Sequence, residues 1–330
     1  MKVGFIGGGS WGASLANLLT DNGYEVLVYD VNKDTVALIN EAHKHPFFDA
    51  TLNVEVKATT SIEEVLSFSN TLVLSVPTKF MRSVLEQVNN LSTEPKFFIN
   101  VSKGIEPETS KTISQIAEEV MDSNKLKGFV TLSGPSHAEE VIERKLTVLV
   151  SASKNEADAV YVQNLFANHK YIRVYSSTDI IGVEVAGSVK NAIALVSGIC
   201  TGYGLGENAR AALISRGILE IIRITEVLGG KKETAYGLAG IGDLIVTASS
   251  MNSRNFQAGL KIGQGQNVYD VVRNSKMVVE GARVLESAQR IAKDHNLYLP
   301  IIDTAYRVIY EDLNLDLAIE IILSAKLKSE

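Results

Sequence analysis

A glycine-rich segment near the start of the chain has the spacing of a dinucleotide-binding turn. Gly7, Gly9 and Gly12 fit G-x-G-x-x-G between a β-branched run and an amphipathic stretch. The first glycine permits a tight turn, the second lets backbone approach a pyrophosphate, and the third allows helix to pack closely on strand. The following helix offers free N–H groups and a positive dipole to phosphates. We predict a dinucleotide site here, with a ligand-free glycine turn as the alternative.

An acidic residue, Asp30, ends the second β-branched run, eighteen residues after Gly12. A carboxylate at this strand end can accept hydrogen bonds from ribose hydroxyls and would repel the 2′-phosphate of NADP. Val31 and Asn32 bring no positive charge to offset that repulsion, whereas Lys33 does. The pattern favours NAD(H) and leaves NADP(H) open. A turn-forming or helix-capping role is the alternative for Asp30.

Other predicted strands also end in residues that can hold a ligand. Lys103 follows the run Phe97–Val101, and the segment from Ser133 to Ala138 follows another. In open α/β sheets ligands bind outside the carboxyl ends of the strands, so we expect these segments to line one crevice. The Lys103 ammonium would reach an anionic or carbonyl substrate there. A solvated loop lysine is the alternative.

A second lysine, Lys190, lies in an apolar helical stretch among the small residues Ala186, Gly187 and Ala194. Burying such a lysine is costly unless it is paired or functional, and a desolvated lysine suits general acid–base chemistry at a carbonyl. A snorkelling lysine at the helix edge is the alternative. Asp243 supplies a carboxylate that could orient Lys190.

Asp243 follows one of two stretches whose glycine density is unfavourable for helix, 202–206 and 237–242. We interpret both as places where backbone approaches a ligand or another helix. Farther along, Ser253-Arg254-Asn255 indicates a helix start. Ser253 would be its N-cap, and Arg254 and Asn255 would offer a guanidinium and an amide to a phosphate.

The arrangement of apolar residues predicts two domains in the 330-residue chain. β-Branched runs alternate with amphipathic stretches until about Ser176, and only helical patterns follow. We therefore predict an α/β protein: a Rossmann-type, mostly parallel sheet domain over residues 1–180 and an all-helical substrate and catalytic domain over 181–330. The predicted strands are Lys2–Ile6, Glu25–Tyr29, Thr71–Val76, Phe97–Val101, Phe129–Leu132, Leu146–Val150 and Tyr171–Val174.

Composition excludes several classes of protein. With 32 Lys and Arg against 38 Asp and Glu, the formal charge is −6, which gives no general attraction to nucleic acid. The single cysteine, Cys200, allows no internal disulfide and fits a reducing, cytoplasmic setting. The scattered histidines argue against a metal site. We expect no membrane span, because Glu184 and Lys190 interrupt the longest apolar stretch.

Seven ordered motifs resemble those of bacterial NAD(P)-dependent glycerol-3-phosphate dehydrogenases, along nearly the whole chain. They are Gly7-Gly8-Gly9-Ser10-Trp11-Gly12, Ser102-Lys103-Gly104-Ile105-Glu106, Ser133-Gly134-Pro135-Ser136-His137-Ala138, Val189-Lys190-Asn191, Gly240-Ile241-Gly242-Asp243-Leu244, Ser253-Arg254-Asn255 and Val278-Val279-Glu280-Gly281. The resemblance implies reversible hydride transfer between a nicotinamide cofactor and dihydroxyacetone phosphate, giving sn-glycerol 3-phosphate for phospholipid biosynthesis. It also implies a homodimer.

The resemblance assigns roles to single residues. Lys190 would exchange the proton with the substrate oxygen, and Lys103 and Asp243 would hold the substrate and Lys190 in place. The implied cofactor contacts are Ser10, Trp11, Lys103, Ala138, Arg254, Val278 and Glu280. The implied substrate contacts are Lys103, Gly134, Ser136, Lys190, Asp243, Ser253, Arg254 and Asn255.

Two departures and two alternatives accompany this interpretation. Many members carry a basic residue near Val31, and its absence here puts NADP use in doubt; Ala248 stands where relatives often have cysteine. A hydroxyacid dehydrogenase of the 6-phosphogluconate dehydrogenase type shares the two-domain plan, but the Ser253-Arg254-Asn255 motif argues against it. A non-catalytic NAD-sensing regulator is disfavoured by Lys103, Lys190 and Asp243 occurring together.

Overall fold

The computed structural model describes residues 1–272 and 279–323. The first part of the chain forms one eight-stranded sheet in the order β3-β2-β1-β4-β5-β6-β7-β8. Its strands are β1 (Lys2–Ile6), β2 (Glu25–Tyr29), β3 (Lys57–Thr59), β4 (Thr71–Leu74), β5 (Lys96–Asn100), β6 (Leu126–Ser133), β7 (Thr147–Ala152) and β8 (Ile172–Ser177).

The sheet is mostly parallel, as the alternation of strand and helix patterns predicts. One pair, β6 and β7, runs antiparallel, with Thr131 opposite Ala152. All seven predicted strands are present, with ends shifted by a few residues. The prediction omitted β3, which has three residues and is too short to show a period of two. It pairs in parallel with β2 at the sheet edge.

Helices of this part of the chain bury apolar residues in the core of the sheet unit. In the helix after β1, for example, Leu15, Leu18 and Leu19 are fully buried in the core. The helices of this part of the chain are α1 (Ser10–Asp21), α2 (Lys33–Ala37), α3 (Ile62–Phe68), α4 (Met81–Leu91), α5 (Ile113–Val120), α6 (Ala138–Ile142) and α7 (Glu156–Phe166).

The described chain divides into two compact units. The first contains residues 1–103 and 112–184, and the second contains residues 104–111 and those from 185 onward. The second unit is helical, as the sequence predicts. From residue 180 the helices are α8 (Ile180–Tyr203), α9 (Gly206–Val227), α10 (Lys232–Ala235), α11 (Asp243–Ala248), α12 (Arg254–Gly263), α13 (Val268–Val272), α14 (Glu280–Asp294), α15 (Pro300–Tyr310) and α16 (Leu315–Leu323).

Glycines bring α8 and α12 into backbone contact within the second unit. A Cβ at Gly198 would lie 2.1 Å from the Phe256 carbonyl oxygen, and one at Gly259 would lie 1.9 Å from the Leu195 oxygen. The same kind of close approach occurs one helical turn later, where a Cβ at Gly202 would lie 2.2 Å from the Leu260 carbonyl oxygen. Part of the first glycine-dense stretch therefore serves helix–helix packing rather than a ligand.

Helix α8 is long and apolar enough to cross a bilayer, but 94% of its most apolar stretch is buried inside the protein. Its second turn also carries Glu184, whose carboxylate accepts hydrogen bonds from the Ser114 N–H at 3.0 Å and the Thr131 hydroxyl at 2.9 Å. Burial raises the pKa of Glu184. These features are those of a core helix of a globular protein.

A buried carboxylate fastens the start of α15 to α9. Glu220 is 1% exposed, and its two oxygens accept hydrogen bonds from the N–H groups of Ile301 at 2.8 Å and Ile302 at 3.0 Å. These donors lie in the first turn of α15, where N–H groups lack partners within the helix. Burial nevertheless raises the pKa of Glu220 from 4.5 to about 7, because desolvation outweighs the two hydrogen bonds.

This raised pKa predicts that stability falls as pH rises. Between about pH 4.5 and about pH 7 the folded chain holds a proton on Glu220 that the unfolded chain has lost, so unfolding releases the proton. The difference corresponds to about 3 kcal/mol at most. In urea titrations from about pH 5 to about pH 8, we expect the stability of the wild type relative to Glu220→Gln to fall by up to that amount. Glu226→Gln, an exposed change on α9, is the control. Parallel pH curves for wild type and Glu220→Gln would contradict the prediction.

Candidate functional site

Two glycines of the turn between β1 and α1, Gly7 and Gly12, have no room for a side chain. Gly7 has a φ of +109°, and a Cβ there would lie 2.3 Å from the Ser75 carbonyl oxygen at the end of β4. A Cβ at Gly12 would lie 2.2 Å from the Gly7 oxygen. These two glycines are fixed by backbone conformation and by the close packing of helix on strand.

Gly9, the second glycine of the motif, differs because a Cβ there would meet nothing within 4 Å. It immediately precedes α1, where the N–H groups of the first turn need partners from outside the helix. Nearby, the buried Nε1 atom of Trp11 has no hydrogen-bond partner among the residues that the structure describes. Open space, helix N–H groups and an unused donor together fit a bound dinucleotide phosphate.

The Asp30 carboxylate lies against this turn. One of its oxygens accepts a hydrogen bond from the Gly8 N–H at 3.0 Å, and the other accepts one from the Asn32 N–H at 2.8 Å. The cap of α2 is Asn32, whose side chain accepts from the N–H groups of Asp34 and Thr35. Asp30 thus stabilises both turns that follow β1 and β2. The adjacent Val31 is 80% exposed and uncharged.

Lys103, Gly134 and Ser136 meet at the carboxyl ends of β5 and β6. The Gly134 carbonyl oxygen accepts hydrogen bonds from Lys103 Nζ at 3.1 Å and from the Ser136 hydroxyl at 3.0 Å. Gly134 has a φ of +135°, which disfavours any side chain there. The Ser102 hydroxyl donates to the Val76 oxygen at 2.7 Å, so the loop after β4 also lies beside them.

Ala138 is the buried first residue of α6, and its carbonyl oxygen accepts a hydrogen bond from Ser14 of α1 at 2.9 Å. Within the first unit, the start of α6 therefore packs against α1, the helix that follows the glycine turn.

In the second unit the structure brings Lys190 and Asp243 together. Lys190 Nζ lies 3.0 Å from Asp243 Oδ1, and the two side chains are 6% and 2% exposed. The Lys190 ammonium also donates to the hydroxyl oxygen of Thr247 at 2.5 Å. Thr247 in turn donates to the Asp243 main-chain oxygen at 2.6 Å. The three side chains form one buried polar cluster on α8 and α11.

Sequence reasoning missed Thr247. Its position four residues after Asp243 places both side chains on one face of α11, and that spacing was the available signal. Asp243 itself is placed by the second glycine-dense stretch, a single π-helical turn over Leu238–Gly242 that leads directly into α11. A Cβ at Gly240 would lie 2.0 Å from the Ala235 carbonyl oxygen. This stretch is therefore a tight connection that places the Asp243 carboxylate.

The segment Ser253-Arg254-Asn255 begins α12, as predicted. Ser253 is the N-cap and accepts a hydrogen bond from the Phe256 N–H at 3.2 Å, while Arg254 is exposed. The Asn255 carboxamide is buried between helices. It donates to Asn191 Oδ1 on α8 at 3.0 Å and accepts from the Gly281 N–H on α14 at 2.9 Å.

Glu280 is a half-buried residue at the start of α14. Val278, the other residue assigned to the cofactor from that motif, lies outside the described residues. Within residues 1–272 and 279–323, no three His, Cys, Asp or Glu side chains come together as a metal site would require.

Comparison with known proteins identifies the family. The family model described as NAD-dependent glycerol-3-phosphate dehydrogenase N-terminus matches residues 2–159. The family model described as NAD-dependent glycerol-3-phosphate dehydrogenase C-terminus matches residues 179–320. The chain is 55% identical over 330 residues to the glycerol-3-phosphate dehydrogenase (NAD(P)+) of Acholeplasma laidlawii, covering 100% of this chain and 99% of that one. It is 43% identical to the Bacillus subtilis protein of the same name, covering 98% of this chain and 94% of that one.

A solved structure, glycerol-3-phosphate dehydrogenase from Coxiella burnetii, superposes with a TM-score of 0.92 at 29% identity and covers 98% of both chains. The chain therefore belongs to the NAD-dependent glycerol-3-phosphate dehydrogenase family.

Proposed function

We propose that this chain catalyses the reversible reduction of dihydroxyacetone phosphate to sn-glycerol 3-phosphate, which supplies phospholipid biosynthesis. The buried cluster of Lys190, Asp243 and Thr247 is the observation that carries the proposal, because it holds an ammonium proton donor in a fixed position. Relatives that are 55% and 43% identical over nearly their whole length bear the name of this activity. The same cluster favours an enzyme over a non-catalytic NAD sensor.

Lys190 exchanges the proton in this reaction. When bound, the reduced nicotinamide supplies a hydride to the carbonyl carbon. The carbonyl oxygen then gains negative charge and needs a proton at once, and the Lys190 ammonium donates it. In the oxidative direction the neutral amine of Lys190 takes the proton from the hydroxyl group. Asp243 and Thr247 keep the amine in one place throughout, which avoids the cost of ordering it during the reaction.

Further side chains bind the substrate in this proposal. Lys103 provides a second ammonium group, which contacts the substrate. Gly134 and Ser136 lie beside it and are substrate contacts too. Arg254, exposed at the first position of α12, binds the substrate phosphate together with the N–H groups of that helix start. Asn255 contributes to this site and, through Asn191 and Gly281, keeps the start of α12 in place. Ser253 retains a hydroxyl proton to donate.

In this proposal residues 1–180 form the dinucleotide-binding domain and make most of the cofactor contacts, whereas residues 181–330 form the substrate domain and carry Lys190. Gly7, Gly9, Gly12, Ser10 and Trp11 hold the phosphates of the cofactor. Further cofactor contacts come from Asp30, Lys103, Ala138, Arg254, Val278 and Glu280.

The cofactor preferred in this proposal is NAD(H), because the Asp30 carboxylate disfavours a 2′-phosphate and Val31 offers no compensating charge. NADP(H) remains the weaker alternative. We propose that the protein acts in the cytoplasm as a homodimer.

Replacing Lys190 by alanine tests the proton-transfer role. We expect Lys190→Ala to lower kcat at least ~100-fold, the lower end of what general acid catalysis contributes, while NADH still binds. Lys261→Ala, an exposed change on α12, is the control. Because removing the ammonium leaves the Asp243 carboxylate buried beside an empty space, the double variant Lys190→Ala/Asp243→Asn should recover stability but not turnover. Near-normal turnover in folded Lys190→Ala would refute the role.

Initial rates with dihydroxyacetone phosphate, measured with NADH and NADPH side by side, test the reaction and the cofactor preference together. We expect kcat/KM to be about tenfold higher with NADH, the effect of about one charged hydrogen bond. We also expect Asp30→Asn to narrow that ratio. A higher kcat/KM with NADPH would overturn the role given to Asp30, and no turnover with either cofactor would overturn the proposed reaction.

A further inference from the structure

Two side chains hold Gly8 of the dinucleotide turn, one at its N–H and one at its carbonyl oxygen. The N–H of Gly8 donates to Asp30 Oδ2 at 3.0 Å, and the carbonyl oxygen of Gly8 lies 2.8 Å from Nε2 of His45. His45 belongs to the segment between α2 and β3, far from the glycine motif in sequence. It is 2% exposed, so solvent does not compete for this contact.

The contacts of His45 fix which of its nitrogens carries the proton. A carbonyl oxygen only accepts hydrogen bonds, so Nε2 must be the donor toward Gly8. The other nitrogen, Nδ1, lies 3.3 Å from the backbone nitrogen of Phe47 and accepts its N–H. A protonated ring would place an N–H at Nδ1 against that donor. The geometry therefore requires the neutral ring with its proton on Nε2.

The surroundings of His45 favour the same neutral form. Its ring lies 5.5 Å from the ring of Phe47 and 5.0 Å from that of Phe48, centroid to centroid. Burial lowers the pKa of His45 below its usual value, although the contact with Gly8 and the charge of Asp30 oppose this. His45 is thus a rigid, neutral donor aimed at one carbonyl group.

Holding the Gly8 carbonyl also orients the next N–H group. The Gly8 carbonyl and the Gly9 N–H belong to one planar peptide, and in a trans peptide they point in opposite directions. Glycines on both sides leave this peptide free to rotate unless something holds it. Gly9 is the position where a Cβ would meet nothing within 4 Å, the space assigned above to a phosphate.

We propose that His45 is a positioning residue for dinucleotide binding: its Nε2–H fixes the Gly8 carbonyl and so directs the Gly9 N–H toward the bound pyrophosphate. The inference rests on the proposed use of a nicotinamide dinucleotide by this chain. It adds His45, a side chain from the segment between α2 and β3, to the residues of the glycine motif that shape the dinucleotide site. His45 itself does not touch the reacting atoms.

Three substitutions at His45 separate the hydrogen bond from the volume of the ring. Phenylalanine keeps a ring without a donor, glutamine places an amide N–H near the position of Nε2, and asparagine is too short to reach Gly8. We expect His45→Phe and His45→Asn to raise the Kd for NADH about tenfold, and His45→Gln to stay within about twofold of wild type. For all three, kcat at saturating NADH and KM for dihydroxyacetone phosphate should remain within about twofold, because Lys190 and the substrate residues are untouched.

Phe47→Leu is the matched control, because it removes a ring contact of His45 and keeps the hydrogen bond to Gly8. NADH binding is measured by fluorescence titration, and the melting temperature of each variant is measured alongside. A lower melting temperature with unchanged NADH affinity in His45→Phe would overturn the inference, since His45 would then act only in stability. Equal weakening by glutamine and asparagine would overturn it too. If the wild type itself failed to bind NADH, the proposed function would fall first, and the inference with it.

Discussion

The buried ion pair between Lys190 and Asp243 is the constraint around which the helical unit is organised. Removing two charges from water costs several kcal/mol per ion, and attraction offsets this only when the geometry is good and other hydrogen bonds are satisfied. Here the ions lie 3.0 Å apart, and Thr247 bonds to both residues. Packing alone would be served as well by apolar side chains of similar volume, so the pair indicates a chemical role.

The neighbouring elements supply what this pair needs. Lys190 has the small, buried residues Ala186, Gly187 and Ala194 as its neighbours along α8. The tight glycine turn before α11 delivers Asp243 at the first position of that helix. Glycine contacts between α8 and α12 then fix the start of α12, where Arg254 is exposed. The apolar residues of α8 thus keep Lys190 buried and away from solvent.

The sheet unit is subject to a different physical constraint. Its glycine turn must leave backbone N–H groups available to bind an anion. Glycines create the turn but also make it flexible, so side chains from other segments must hold it. Asp30 holds the Gly8 N–H, and His45 holds the Gly8 carbonyl. These two contacts hold the turn in place and leave the space beside Gly9 free for a ligand.

Sequence patterns predicted the parts of this molecule that depend on local periodicity or on a motif. The sheet unit, the helical unit and the start of α12 at Ser253 followed from such patterns. The pairing of Lys190 with Asp243 also followed, because an apolar helix with one lysine requires a partner. Features that arise from tertiary contact did not follow. Periodicity shows neither the antiparallel direction of β7 nor the three-residue β3.

Long-range hydrogen bonds were equally hidden from the sequence. Asn255 was assigned to a phosphate, but its carboxamide also joins three helices, because α8 and α14 happen to present an acceptor and a donor there. Nothing local to His45 indicates Gly8 as its partner. Thr247 was the exception, since its spacing from Asp243 carried a usable signal.

Chemical rescue is the most direct test of the central claim that the Lys190 amine transfers the proton. Small primary amines, such as methylamine and ethylamine, are added to folded Lys190→Ala while turnover of dihydroxyacetone phosphate with NADH is measured. The account predicts saturable restoration of turnover that varies with the pKa of the amine, as expected for general acid catalysis, and no restoration in Arg254→Ala. If no amine raised the turnover of Lys190→Ala, or if the amines raised the turnover of Arg254→Ala equally, the claim would be contradicted.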